Sequence, residues 1–211
     1  MVDTEDLKSF DFGRAGSSPA PGTPHQLVQP MLNDRYSNIF VTGFGPFGNV
    51  VENPSSKLAS TSGARFQILE VSFEAVDRFL NELDPNSFEI LFLMGVAADR
   101  DNLSTEMFGR NFSGRHPDVT GNVRFGPIDS SGILLLPTTL WTAHEVADWI
   151  VELPVRTSYD AGEYLCNYIY YRALEKFPSK RVGFLHVPSE QKLALSAQAM
   201  ALTRILDDIT S

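Results

Sequence analysis

The sequence predicts an α/β fold with a largely parallel sheet. In residues 37–211, apolar runs of strand length alternate with stretches in which apolar residues recur at helical spacing. The composition, with 43% hydrophobic and 20% charged residues in a chain of 211, suits one globular domain with a full core. We therefore expect a single α/β domain over residues 37–211.

The first 36 residues differ in composition from the rest. Residues 13–30 are rich in Gly, Ser and Pro, which bury too little apolar surface to offset the entropy of the chain. We therefore expect residues 1–36 to be a flexible or loosely docked extension. Its first twenty residues include acids and no apolar stretch, unlike a secretory signal peptide, so a cytoplasmic location is expected.

The strands and helices follow from the apolar pattern. Residues 38–42 predict a first buried strand, and Asn53 predicts a helix N-cap because Pro54 fits the first helical turn, where its missing N–H costs nothing. A strand over 66–72 and a helix over 73–83 come next. The remaining predicted elements are a central strand over 88–95, a strand over 181–187, and helices over 142–153, 160–177 and 189–209.

One long segment lacks such a pattern. Residues 99–132 are polar and glycine-rich, and a structureless stretch of that length inside a compact domain is usually functional. We expect hairpins or a lid there.

Charge and cysteine content exclude several kinds of function. The formal net charge of −9 and the absence of any Lys and Arg cluster argue against a nucleic-acid partner. The longest apolar run, residues 90–98, is too short to cross a bilayer, so no membrane partner is expected. A single cysteine cannot form an internal disulfide or a multi-cysteine metal site.

A glycine-rich loop follows the first strand. Residues 43–48, Gly-Phe-Gly-Pro-Phe-Gly, match the spacing of a dinucleotide fingerprint, and Glu70 stands where a ribose-binding acid is expected. Pro46, however, has no N–H for a pyrophosphate, and Phe44 and Phe47 add bulk where the cofactor must approach closely. The two rings suit a flat neutral ligand at the carboxyl end of a strand, although they could also simply fill the core.

Cys166 and His186 are candidates for a catalytic pair. Cys166 lies near the start of a predicted helix, where the helix dipole favours a thiolate, and His186 ends an apolar strand at the same edge of the sheet. Neighbouring elements could bring the two into hydrogen-bond reach. Each has a structural alternative, since Cys166 could be an inert buried thiol and His186 a core histidine bonded to a carbonyl.

A third group would fix the tautomer of the imidazole. Glu106 and Asp99 both follow the central strand and could reach its edge. Composition leaves both candidates open.

Five motifs occur in an order that resembles the pyroglutamyl peptidase I family of cysteine peptidases, from about residue 38 to the C-terminus. The motifs are Gly43-Phe44-Gly45-Pro46-Phe47 with Asn53-Pro54-Ser55, the segment Gly95 to Asn111, Pro117-Asp118 with Gly121-Asn122 and Pro127-Ile128-Asp129, Ala161-Gly162 with Cys166-Asn167, and Phe184 to Pro188.

This resemblance implies an α/β/α sandwich with a mostly parallel mixed sheet, and neither a metal nor an organic cofactor. It implies that Cys166 attacks the carbonyl of an N-terminal pyroglutamyl residue to give a thioester, that His186 moves the proton and that Glu106 orients the imidazole. The substrates would be N-terminally pyroglutamylated peptides. Because the pyroglutamyl ring is an uncharged lactam, Phe44, Gly45, Phe47 and Asn53 are expected to form its pocket.

The chain departs from the family pattern at two places. Met107 stands where an Arg usually follows the catalytic Glu, and Ala98-Asp99 stands where a Gly-Gly pair precedes Arg100. Arg100 or Arg110 could replace the missing Arg. The departures leave an alternative function open, a weakly active or inactive relative that binds pyroglutamyl-like lactams. A homo-oligomer is also left open.

Overall fold

The computed structural model describes residues 32–211, so most of the predicted N-terminal extension lies outside the described residues. Its last part, residues 32–36, includes a short 3-10 helix (Asp34–Tyr36). Tyr36 is buried, and its hydroxyl donates a hydrogen bond of 2.8 Å to Asp207 near the C-terminus. These last residues are therefore docked on the domain.

The fold has eight strands and five α-helices in the described residues. The strands are β1 (Ile39–Phe44), β2 (Arg65–Leu69), β3 (Ile90–Val96), β4 (Leu103–Glu106), β5 (Phe108–Arg110), β6 (Leu135–Pro137), β7 (Val155–Ser158) and β8 (Arg181–Val187). The helices are α1 (Pro54–Thr61), α2 (Phe73–Glu82), α3 (Ala143–Glu152), α4 (Leu165–Lys176) and α5 (Leu195–Ile209). None of these helices is long and apolar enough to cross a bilayer.

The main sheet is mixed, with strand order β2-β1-β3-β8-β4-β7. The first four strands in that order are parallel, whereas β4 pairs antiparallel with β8 and parallel with β7. Strands β5 and β6 form a separate antiparallel pair. The reversal at β4 brings the end of that strand beside the middle of β8, with Glu106 opposite Phe184.

Helices cover both faces of the sheet, which confirms the α/β prediction. The side chains of β3 alternate between the faces, because successive residues of a strand point to opposite sides. Phe92 packs in one apolar cluster with α1, α3 and α5, and Leu91 packs in a second cluster with α2 and α4. The domain is thus a three-layer α/β/α sandwich.

Four strands and two helix starts were not predicted correctly from the sequence. β4 and β5 lie in the segment for which only hairpins or a lid were expected, and β6 and β7 were missed because they are only three and four residues long. Helix α4 begins at Leu165 rather than at residue 160, after Gly162, whose φ of 83° is incompatible with a right-handed helix. Helix α5 begins at Leu195 rather than at residue 189.

Gly43 lets β1 approach α1 closely. A Cβ atom at this position would collide with the backbone carbonyl of Ser55 in the first turn of α1. Gly45, two residues further, has room for a Cβ, whose nearest neighbour would be the carbonyl oxygen of Leu69 at 3.5 Å. The packing of β1 against α1 therefore requires glycine at position 43 but not at position 45.

We expect Gly43→Ala to lower the free energy of unfolding by about 3 kcal/mol, because the backbone of α1 must move to admit the methyl group. Gly45→Ala is the matched control and should change it by less than about 1 kcal/mol. Urea denaturation followed by circular dichroism measures both. Equal stability of the two variants would contradict the close approach of β1 to α1.

Candidate active site

A cavity of about 170 Å³ lies at the carboxyl edge of the parallel strands. Its lining includes Phe44, Phe47 and Asn53 from the β1–α1 connection, Cys166 from α4 and His186 from β8. It is smaller than the ~300–1,000 Å³ of typical drug-sized ligand pockets. The cavity therefore suits one small ring rather than an extended ligand.

The connection from β1 to α1 is fixed by hydrogen bonds among buried groups. Asn53 caps α1 by accepting a hydrogen bond from the backbone N–H of Ser55, and its amide donates one of 3.0 Å to the carbonyl of Gly45. The hydroxyl of Ser55 accepts one of 3.0 Å from the N–H of Phe44. The Asn-Pro-Ser sequence thus holds the loop that presents the two phenyl rings.

Cys166 is the second residue of α4, and its sulfur lies against β3. A Cβ atom at Gly95 would come within 2.6 Å of the Cys166 Sγ, so only glycine leaves space for the thiol. The N-cap residue of α4, Tyr164, makes no side-chain capping hydrogen bond. The N–H groups of the first turn are therefore available to an anion that forms in the cavity.

His186 is hydrogen-bonded to a buried carboxylate. Its Nδ1 lies 2.7 Å from Glu106 Oε1, and Glu106 has no exposed surface. The contact depends on the antiparallel pairing of β4 with β8. Because the carboxylate accepts at Nδ1, the neutral ring carries its proton there, and Nε2 is left as the basic nitrogen.

Arg100 joins this carboxylate to the loop before the nucleophile. Its Nη1 donates a hydrogen bond of 2.6 Å to Glu106 Oε1, and its Nη2 donates one of 2.9 Å to the backbone carbonyl of Asp160. Asp160 begins the short turn that leads into α4. The guanidinium of Arg100 therefore fixes the position of Glu106 relative to the loop that precedes α4.

Burial sets the protonation states of the site. It raises the pKa of the Cys166 thiol to about 12, and the negative charge of Glu106 adds to this effect. Burial also lowers the pKa of His186 below its usual 6.5, although Glu106 opposes the shift. Burial alone would raise the pKa of Glu106, but the hydrogen bond and charge of His186, with Arg100, lower it below its usual value.

These directions give a neutral thiol and a neutral imidazole beside an ionised carboxylate near pH 7. The sequence predicted that the helix dipole would favour the thiolate at Cys166. Desolvation of the half-buried thiol opposes this effect in the free protein and raises the pKa of Cys166.

Met107 does not take part in the site. Its side chain packs against the apolar cluster of α1, α3 and α5, on the opposite face of β4 from Glu106. Arg110 lies on β5 and reaches the loop before α4, where its guanidinium donates a hydrogen bond of 3.2 Å to the carbonyl of Gly162. Of the two arginines considered as replacements, only Arg100 contacts the carboxylate of Glu106.

The structure brings five of the seven residues predicted from the sequence to the cavity wall. Glu106 lies behind His186, and Gly45 is held by Asn53 without lining the cavity. Sequence reasoning missed Val71 and Val96, as well as Glu163, Tyr164 and Leu165, which line the cavity together with Ala161 and Gly162. The only available signal was their position at the ends of β2 and β3 and before α4, where ligands of parallel sheets bind.

An α/β/α sandwich that carries a thiol, an imidazole and a buried carboxylate at one sheet edge has the arrangement of a cysteine-type hydrolase. The sequence profile described as pyroglutamyl peptidase matches residues 37–210. The chain belongs to the pyroglutamyl peptidase family.

Known proteins similar to the chain agree with this assignment. A pyrrolidone-carboxylate peptidase of Streptococcus pyogenes is 31% identical over 190 residues, which cover 82% of this chain and 86% of that protein. The crystal structure of pyrrolidone carboxyl peptidase from Thermus thermophilus is 32% identical, with a TM-score of 0.67, and the match covers 79% of this chain and 98% of that one. Pyroglutamyl peptidase I of Bacillus amyloliquefaciens, at 24% identity and a TM-score of 0.73 over 82% of this chain and 93% of that one, shares the fold.

We expect the alkylation of Cys166 by iodoacetamide to accelerate about tenfold per pH unit between about pH 7 and pH 10, because only the thiolate reacts. A thiol with the usual pKa of 9.0 would level off within that range, whereas a pKa raised to about 12 does not. Mass spectrometry measures the rate at the single cysteine of the chain.

The same measurement in denaturant is the control and should show the plateau of an ordinary thiol. A rate in the folded protein that does not depend on pH would indicate a preformed thiolate and contradict the neutral site.

Proposed function

We propose that the chain hydrolyses the peptide bond after an N-terminal pyroglutamyl residue as a cysteine peptidase. The observation that carries this proposal is the 2.7 Å contact between His186 Nδ1 and the buried Glu106, at a cavity that also holds Cys166. Family membership supports the substrate. So does the cavity, which offers two phenyl rings for a neutral lactam and whose one acid among the described residues, Glu163, is paired with Arg110 at 3.3 Å.

The first half of the proposed reaction makes a thioester. Nε2 of His186 takes the thiol proton as Cys166 Sγ attacks the pyroglutamyl carbonyl, so the thiolate forms only as the carbon–sulfur bond forms. The resulting imidazolium is stabilised by Glu106. The N–H groups in the first turn of α4 stabilise the oxyanion. The imidazolium then protonates the leaving amine, and the peptide departs.

The second half releases pyroglutamate. Water enters from the side vacated by the peptide, and the neutral His186 takes its proton as the oxygen attacks the thioester carbonyl. Collapse of the second tetrahedral intermediate returns the proton from the imidazolium to the sulfur of Cys166. Each group is thus restored to its starting protonation state, and neither half of the reaction requires a metal or an organic cofactor.

The location and assembly of the protein form a second part of the proposal. A catalytic thiol needs a reducing compartment, which supports the cytoplasm as its location. Self-association is supported by an exposed apolar segment at β6, where Ile133 and Leu134 are 68% and 69% exposed. Measurement of molar mass by light scattering tests the association.

We expect the reduced protein to release a fluorescent amine from a pyroglutamyl conjugate, and Cys166→Ala to abolish this release while leaving the thermal unfolding temperature nearly unchanged. A lactam such as 2-pyrrolidone should slow the alkylation of Cys166 by occupying the cavity. Turnover no greater than that of folded Cys166→Ala would contradict the enzymatic function and favour the lactam-binding alternative.

We expect Glu106→Gln to lower kcat/KM by about 10²–10⁴-fold, because Gln cannot stabilise the imidazolium. The activity of the unmodified protein should fall as His186 is protonated, below pH 6.5, because burial lowers its pKa. Since Glu106 raises the pKa of His186, the variant should lose activity at a still lower pH. A pH profile of kcat/KM measures both effects.

The control for this variant is Glu82→Gln at the far end of α2, which should change neither the rate nor the profile. If kcat/KM of Glu106→Gln falls at the same acidic pH as kcat/KM of the unmodified protein, the carboxylate of Glu106 does not raise the pKa of His186, and the prediction is contradicted.

A further inference from the structure

A second cavity, of about 610 Å³, opens beside the catalytic cavity, and we call it the exit groove. It is lined by residues 49–54 after β1, 96–99 after β3 and 189–192 after β8. Val96 belongs to both cavities, and it pairs with Val187, the residue after His186. The two cavities therefore meet at Val96, beside the strand that carries His186.

The walls of the exit groove are held together across the gap. The ammonium group of Lys57 on α1 contacts the carboxylates of both Glu52 and Glu190, the latter at 2.8 Å, so one cation joins two of the three loops. The buried amide of Gln198 donates hydrogen bonds to the backbone carbonyls of Pro188 and Leu193, which flank the loop of Glu190, and the Ser189 hydroxyl of that loop donates one of 3.4 Å to the carbonyl of Ala98 in the third loop. The groove is thus a built feature rather than a gap between mobile loops.

The acids of the exit groove differ in their partners. Three of its wall residues are acids, of which Glu52 and Glu190 are both paired with Lys57 and Asp99 is not, and the one basic wall residue is Lys192. Lys192 is already paired with Asp101 at 2.9 Å. Among the described residues, Asp99 forms no ion pair and is exposed, so its carboxylate can receive a cation, although its charge also acts on Lys192.

We propose that the exit groove receives the residues that follow pyroglutamate, and that Asp99 makes the enzyme favour a basic residue there. This inference rests on the proposed function. With the lactam between the phenyl rings, the leaving nitrogen must lie at Nε2 of His186 to receive its proton, and the rest of the peptide must continue past that ring. The exit groove adjoins the catalytic cavity at Val96, and the carboxylate of Asp99 attracts a cationic side chain and repels an anionic one.

The test uses three pyroglutamyl tripeptide amides that differ only in the residue after pyroglutamate, which is Lys, Gln or Glu. We expect kcat/KM to fall by about threefold at each step from Lys to Gln to Glu, the size expected for a partly exposed charge pair. Asp99→Asn should bring the Lys-to-Gln ratio close to one, and Asp99→Lys should invert it. About 1 M salt should also compress the ratio, because it screens exposed charges.

The control variant is Glu82→Gln, which changes the net charge by the same amount as Asp99→Asn. Glu82 is the last residue of α2 and does not line the exit groove, so this variant should leave the ratios of kcat/KM among the three peptides unchanged. Equal rates for the three peptides, or a Lys-to-Gln ratio that Asp99→Asn does not alter, would overturn the inference. In either case, hydrolysis of the Gln peptide would still uphold the proposed function. Failure to cleave any of the peptides would overturn the proposed function and the inference with it.

Discussion

The site depends on one buried carboxylate shared by two partners. Glu106 Oε1 accepts from Arg100 and lies against His186 Nδ1, at 2.6 and 2.7 Å, while the residue has no exposed surface. A buried carboxylate without such partners would cost several kcal/mol or take up a proton. The hydrogen bond and charge of His186, with the charge of Arg100, lower the pKa of Glu106 and keep it ionised, so that it fixes the tautomer of the imidazole.

The same arrangement explains why the sheet reverses at β4. A strand parallel to β8 would carry its last residue toward the edge and solvent, whereas the antiparallel β4 brings Glu106 into the interior beside Phe184. The polar residues of β4 are buried for this reason. Desolvation of His186 and Cys166 themselves lowers the pKa of the imidazole and raises that of the thiol, so both groups are neutral in the free protein.

The layers of the fold could be predicted from the sequence, because the spacing of apolar residues in a segment indicates which of its side chains are buried. Strands β1, β3 and β8 and helices α2 and α3 follow from it to within two residues at each end, and the start of α1 follows from Asn53 and Pro54. β4 and β7 were missed because Ser, Thr, Glu and Arg in a short strand resemble a loop, and their burial follows from partners distant in the sequence. The early start predicted for α4 overlooked Gly162, whose positive φ sets the turn before the nucleophile.

The candidate site was predictable in its chemistry and less so in its geometry. Motif order pointed to the thiol, the imidazole and the acid, but no pattern in the sequence shows that Arg100 contacts the acid or that Met107 faces the opposite side of β4.

The position of Asp99 could not be predicted from the sequence either. In the sequence it was a competing candidate for the third catalytic group, because it follows the central strand as Glu106 does. In the structure it faces the exit groove, outside the catalytic cavity, because β3 ends at Val96 and the chain turns outward before β4 returns. Two acids seven residues apart therefore occupy different places: the buried one contacts the imidazole, and the exposed one lines the exit groove.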